Sequence, residues 1–221
     1  MSTSTKYKYP RTLHLPWSLG AMNDDRICES TDHFVGKEVV VTEKMDGENT
    51  SIYKDFFHAR SITGNMHPTR NRVKQLQSKL HYDLRDHIRI CGENCYAKHS
   101  ISYSSLPAYF LAFSVWENDL CFSWDETVEW CELLELHHVP VLYRGIYDED
   151  LIKTLYVENR EPDLMEGYVV RLASSFSYDK FSESVAKFVR ANHVQCDEHW
   201  MNQEVVPNLL VASEKEELED A

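Results

Sequence analysis

The chain has 221 residues, with 43% hydrophobic and 27% charged, a balance that supports one compact domain with a core and excludes global disorder. Its formal net charge of −13 excludes an overall basic footprint for nonspecific phosphate binding, while leaving room for a local basic groove. No run of about 18 apolar residues occurs, so no membrane span is expected.

Residues 1–30 begin with a polar stretch and carry Pro10, Pro16 and Gly20, and they read as an irregular lead-in lying on the domain. Lys37 to Lys44 (KEVVVTEK) is short and β-branched, which predicts a strand. Met45-Asp46-Gly47-Glu48 reads as a turn and Asn49 to Phe57 as the returning strand, giving a hairpin with Lys44 at its mouth. Val73, Leu76, Leu80 and Leu84 share one helical face within Asn71 to Asp86. Ile88 to Cys91 and Ala108 to Trp116 read as strands. Ser123 to Glu126 has the form of a capping box opening a helix to about Leu136. A weaker helix covers Asp148 to about Tyr156, and Glu166 to Leu172 and Ser184 to Arg190 are strands again. The fold class is α+β, with antiparallel strands dominating. Residues 1–212 form one domain, and 213–221, with five acids and one base, is expected to be a disordered acidic tail.

Six cysteines are too sparse for a disulfide framework, and with no export signal they predict reduced thiols in an intracellular, cytoplasmic protein. Cys91-x3-Cys95 with His99, or Cys196-x2-His199, offers zinc-type ligands at irregular spacing, without a second CxxC. Walker phosphate loops and Gly-x-Ser-x-Gly elbows are absent.

The segment Glu43-Lys44-Met45-Asp46-Gly47-Glu48-Asn49 carries the most chemical information. A lysine becomes nucleophilic when its pKa, near 10.4 in a model peptide, is depressed by nearby cations or a metal. Asp46, two residues on, suits a hydrated divalent cation, and Gly47 permits close approach to a phosphate. The alternative is an ordinary surface hairpin with an Asp-Gly turn.

This segment resembles the nucleotidyl-acceptor motif of the covalent nucleotidyltransferases, the polynucleotide ligases and mRNA capping enzymes, and within them it looks most like the RNA ligases. Five further segments follow in that superfamily's order: Arg60 in HARS, Glu93 after Gly92, Phe113 in LAFSVW, Glu166 in EGYVVR, and Lys187 in KFVR. Tyr9 to Trp17, Lys98 to Ile101 and Asn192 to Trp200 also resemble one subgroup, without assignable roles.

The resemblance implies an ATP-grasp-like nucleotidyltransferase domain of antiparallel sheets with flanking helices, without a separate OB-fold. It implies that Lys44 attacks the ATP α-phosphate and holds AMP covalently. Glu43, Asn49, Arg60, Glu93, Phe113, Glu166, Lys187 and Arg190 would contact the nucleotide, with Phe113 stacking on the base. Asp46, Glu93 and Glu166 would hold Mg2+ or Mn2+ through water. AMP would then pass to an RNA 5′-phosphate, and a 3′-OH would seal the strand. Two departures stand out. Ser114 follows the stacking aromatic where an acid is common. Arg190 follows Lys187 by three residues, which places it on the opposite face of a regular strand from Lys187. Only 31 residues follow Arg190, too few for a standard OB-fold, so the chain is expected to act as a minimal ligase or with a protein partner that supplies RNA affinity. The alternatives are a DNA ligase, a capping-type enzyme, or a decayed nucleotide- or RNA-binding module.

Overall fold

The β-branched runs become the strands of two sheets in the computed structural model, which describes residues 6–22, 24–62, 67–159, 165–191, 193 and 205–211. In chain order the strands are β1 (Leu13–His14), β2 (Glu38–Lys44), β3 (Glu48–Tyr53), β4 (Phe57–Ala59), β5 (Ile88–Asn94), β6 (Phe110–Glu117), β7 (Leu120–Cys121), β8 (His137–His138), β9 (Val141–Ile146), β10 (Gly167–Leu172), β11 (Phe176–Ser177) and β12 (Val185–Val189). The helices are α1 (Asn71–Leu80), α2 (Trp124–Leu133) and α3 (Glu149–Asn159). One sheet runs β1-β12-β10-β2-β9, the other β11-β7-β6-β5-β3-β4 with β8 beside β6. Among the described residues, these strands pair antiparallel except β1 with β12 and β6 with β8.

The predicted hairpin does not form. β2 pairs with β10 and β9, whereas β3 pairs with β5 and β4, so Met45–Gly47 carries the chain from one sheet to the other. The reason lies in burial. Val39 to Glu43 are all buried, so β2 is a central strand covered on both faces, and a hairpin partner alone would leave one edge unpaired. Val39 and Val41 join the core with Tyr168, Val170 and Phe188, and Val40 points the other way, onto Leu111 and Trp124. The predicted returning strand also breaks, because Tyr53 N–H bonds the Phe56 carbonyl (2.8 Å) and turns the chain into β4.

α1 stops at Leu80, four residues before the last apolar position of its face, and Leu84 is buried from the following turn. Ser123 caps α2 as expected: its Oγ accepts from Glu126 N–H (3.2 Å), and Glu126 Oε2 accepts from Ser123 N–H (2.9 Å). That helix ends at Leu133, short of Leu136, and Glu135 takes a positive φ of 53°. Strand β9 follows Pro140 and contains Gly145, which hide its pattern in sequence. It is an edge strand with Ile146 exposed. The acidic tail and 194–200 lie outside the described residues.

Candidate active site

Because consecutive strands β2 and β3 belong to different sheets, the acceptor segment straddles the boundary between them. The cleft there has a cavity of about 190 Å³, far more than the ~10–15 Å³ that one water needs. Period-two alternation sets its floor: Thr42 and Lys44 on β2, Val169 and Arg171 on β10, and Val185 and Lys187 on β12 all line it. Register explains their grouping, since Val169 lies opposite both Thr42 and Lys187. The other sheet supplies Asn49, Glu93 and Phe113.

Most of the residues singled out in the sequence meet here. Glu43, Lys44, Asn49, Arg60, Glu93, Phe113 and Lys187 line the cavity, with Arg60 at its exposed rim. Glu166 immediately precedes β10 and receives Lys44 Nζ at 2.6 Å. Asp46 sits just behind. Its Oδ2 accepts the backbone N–H groups of Ser100 and Ile101 (2.7 Å each), and Tyr103 Oη accepts the Asp46 N–H (2.9 Å). The Lys98–Ile101 segment thus acquires a role: its amides fix the aspartate. Arg190 is not among the residues lining the cavity; its amide donates to the Glu166 carbonyl (3.0 Å) just past β12.

Electrostatics separates the two lysines. Burial pushes the Lys44 ammonium pKa down, but Glu166, Glu93 and Asp46 together outweigh it, so the net shift is upward and the amine is held charged. Lys187 is pushed down, by burial first and then by the neighbouring Lys44 charge. Burial, with Glu166 and Asp46 adding to it against the pull of Lys44, pushes the Glu93 carboxyl up to about 8. Asp46 is lowered because hydrogen bonding and charge from His193, with the Ile101 amide, overcome its burial.

Several cleft residues had no role assignable from the sequence. Tyr9, Pro10, Arg11 and Thr12 of the lead-in form one wall, and the Tyr9 ring packs edge-on against Phe113 at 5.3 Å. β1 brings the lead-in there by pairing with β12. Phe113 is therefore neither wholly core nor wholly free: it is half-buried, with one side facing the cavity. Arg171 is buried and donates to the carbonyls of Phe113 (3.2 Å) and Phe122 (2.7 Å), tying β10 to the second sheet. Glu48 is clamped by Arg70, Nε to Oε2 at 2.8 Å and Nη2 to Oε1 at 2.5 Å.

Among the described residues, one group has metal-ligand spacing: Asp46, Glu166 and His193 offer donor atoms within 4.8 Å of one another. Two carboxylates and an imidazole suit a divalent cation. Glu93 lies outside this group, and burial raises its carboxyl pKa. The Cys91, Cys95 and His99 arrangement does not form a ligand cluster. Cys91 and Cys95 are buried free thiols, while Cys196 and His199 lie outside the described residues. Among the described residues no helix is long and apolar enough to cross a membrane.

An RNA ligase family model matches residues 37–189. In fold, the chain is similar to a protein from Aquifex aeolicus assigned as an ATP-dependent DNA ligase (TM-score 0.55, 23% identity, 84% of this chain and 50% of that one). It is similar to an archaeal ATP-dependent RNA ligase (TM-score 0.53, 19% identity, 82% and 48%) and to a variant of an RNA ligase from Naegleria gruberi solved with ATP and Mn (TM-score 0.51, 16% identity, 72% and 52%). The chain spans about half the length of each. No curated protein matches it in sequence.

Proposed function

Because the chain belongs to the RNA ligase family, we propose that it is an ATP-dependent RNA ligase acting through a lysyl-AMP intermediate on Lys44. The observation that carries this reading is the convergence of Lys44, Glu93, Phe113 and Lys187 on one cleft, with Lys44 in contact with Glu166 and Asp46 immediately behind.

In the first step Lys44 Nζ bonds to the α-phosphorus of ATP, the bond to the bridging oxygen breaks, and pyrophosphate leaves. The ammonium gives up its proton to solvent before the attack, and Glu166, 2.6 Å from Nζ, orients the amine. Lys187 lines the same cleft and faces the charge that develops on the phosphoryl oxygens. Phe113 offers its ring to the adenine, and Tyr9 packs edge-on against it. Neutral Glu93 donates a hydrogen bond to the nucleotide. In the second step an oxygen of an RNA 5′-phosphate bonds to the AMP phosphorus and the P–N bond breaks, returning Lys44 to an amine. In the third a 3′-OH displaces AMP and the strand is sealed.

Asp46 and Glu166 would hold Mg2+ or Mn2+, which supplies positive charge against the phosphates and cancels part of the carboxylate field that keeps Lys44 protonated. Arg11, Arg60 and Lys187 form the local basic group that engages RNA ends in an otherwise acidic chain. A partner supplying further RNA affinity fits the same charge balance.

The test is incubation of the protein with α-labelled ATP and Mg2+ or Mn2+, followed by a denaturing gel. A labelled band is expected, absent from Lys44→Ala. No label on folded, AMP-free protein with either metal would remove the reading, and labelling by GTP instead of ATP would reassign the chain to capping-type chemistry.

A further inference from the structure

Behind the cleft, a nitrogen donor outside the six motif segments meets two of the motif carboxylates. His193 is 6% exposed, and its Nε2 lies 3.3 Å from Asp46 Oδ1 and 3.5 Å from Glu166 Oε1. The other ring nitrogen, Nδ1, is buried and meets no hydrogen-bond partner among the described residues. Among the described residues, the ring's polar contacts are therefore with these two carboxylates. Asp46 is prepared in the same sense. Its Oδ2 is occupied by the Ser100 and Ile101 amides, which leaves Oδ1 turned toward His193. Atoms ligating one ion at ~2.1 Å stand about 3 Å apart in adjacent positions, close to the separations seen here.

The geometry points to a divalent-metal centre in which His193 Nε2 is a direct ligand beside Asp46 Oδ1 and Glu166 Oε1. An imidazole nitrogen changes which ion the site prefers. Mg2+ binds through oxygen and keeps its waters, whereas Mn2+ and the later first-row ions accept nitrogen. The centre therefore selects Mn2+ over Mg2+. Glu166 Oε1 is shared with Lys44 at 2.6 Å, which puts the ion beside the nucleophile. The inference rests on the ligase reading only for the use made of the ion, not for its binding.

The experiment uses the full chain, freed of nucleotide, and Mn2+ alone as the probe. Free Mn2+ is counted by its EPR signal, and the bound ion is examined by electron spin echo modulation in protein carrying 14N or 15N histidine. We expect one bound Mn2+ with histidine nitrogen coupling that changes with the isotope, and at least tenfold tighter binding of Mn2+ than of Mg2+ in competition. In His193→Gln, which keeps a polar group near Asp46, the coupling should vanish and the preference fall toward unity, with a melting curve verifying the fold. Asp46→Asn should weaken Mn2+ binding. Failure to bind Mn2+, a bound ion without nitrogen coupling, or coupling that survives His193→Gln would each overturn the assignment. The adenylylation gel run in parallel separates the two ideas. Label without nitrogen coupling sinks the metal ligand alone, and coupling without label sinks the ligase reading alone.

Discussion

Gly47 has two competing explanations, and Gly47→Ala separates them. In sequence it reads as a turn residue or as a gap that lets a phosphate approach. In the structure its φ is not positive, and a Cβ built there would lie 2.6 Å from the Asn94 carbonyl oxygen, 3.0 Å from Glu93 Cγ and 3.1 Å from the Asn94 carbonyl carbon. Two of these three atoms are backbone of β5, which cannot swing aside as a side chain does. Alanine must therefore push the crossover away from the second sheet, and overpacking of this kind costs about 1–3 kcal/mol. Taking about 2 kcal/mol, and ~2–4 °C per kcal/mol for a domain of this size, Tm should fall by roughly 4–8 °C. Gly36 is the control. It has a φ of +74° but nothing within 4 Å of its Cβ position, so Gly36→Asn, which tolerates that backbone, should shift Tm by less than about 2 °C. Thermal melts of the two variants decide the matter. If Gly47→Ala melts with the parent yet loses ATP labelling, the glycine serves the ligand and the strand-crossing argument is wrong.

Lys187→Ala should slow labelling of Lys44 by about 10²-fold while the melting curve is kept, since the side chain ends in the cleft. Parent-like labelling would remove its charge-stabilising role. Burial, then the Lys187 charge, with Lys44 adding to it and Asp25 opposing, pushes the His14 pKa down to about 4. An unfolded histidine titrates near 6.5, so between these values the unfolded chain binds a proton that the folded chain refuses. The stability tied to His14 is complete above about pH 6.5 and is lost as pH falls toward 4. The urea midpoint should therefore drop from pH 7 to pH 5, and His14→Gln should flatten that slope. An unchanged slope would show that other groups carry it. Ser123→Ala removes the α2 cap and should cost about 1 kcal/mol, or about 2–4 °C in Tm, with labelling unaffected because Ser123 lines no part of the cleft.

The sequence by itself settled those features whose physics is local. A β-branched run makes a strand wherever it pairs, so β2, β5, β6, β10 and β12 were legible from residue type alone. The α2 start was equally legible, because a capping box closes its hydrogen bonds within four residues. The segments around Lys44, Glu93 and Lys187 stood out by their resemblance to ligase motifs, and the structure brings these residues to one cleft. Strand partnership is not local. The Asp-Gly step after β2 has hairpin chemistry, yet β2 is buried on both faces and takes β9 and β10 as neighbours, more than 90 residues away in the chain, so the same step becomes a bridge between sheets. The same reason hid the wall built by Tyr9 and Arg11, the tie made by Arg171, and the approach of His193 to Asp46 across 147 positions. Whether a histidine meets two carboxylates or ends in water depends on which segments pack against it, and no window of neighbouring residues carries that information.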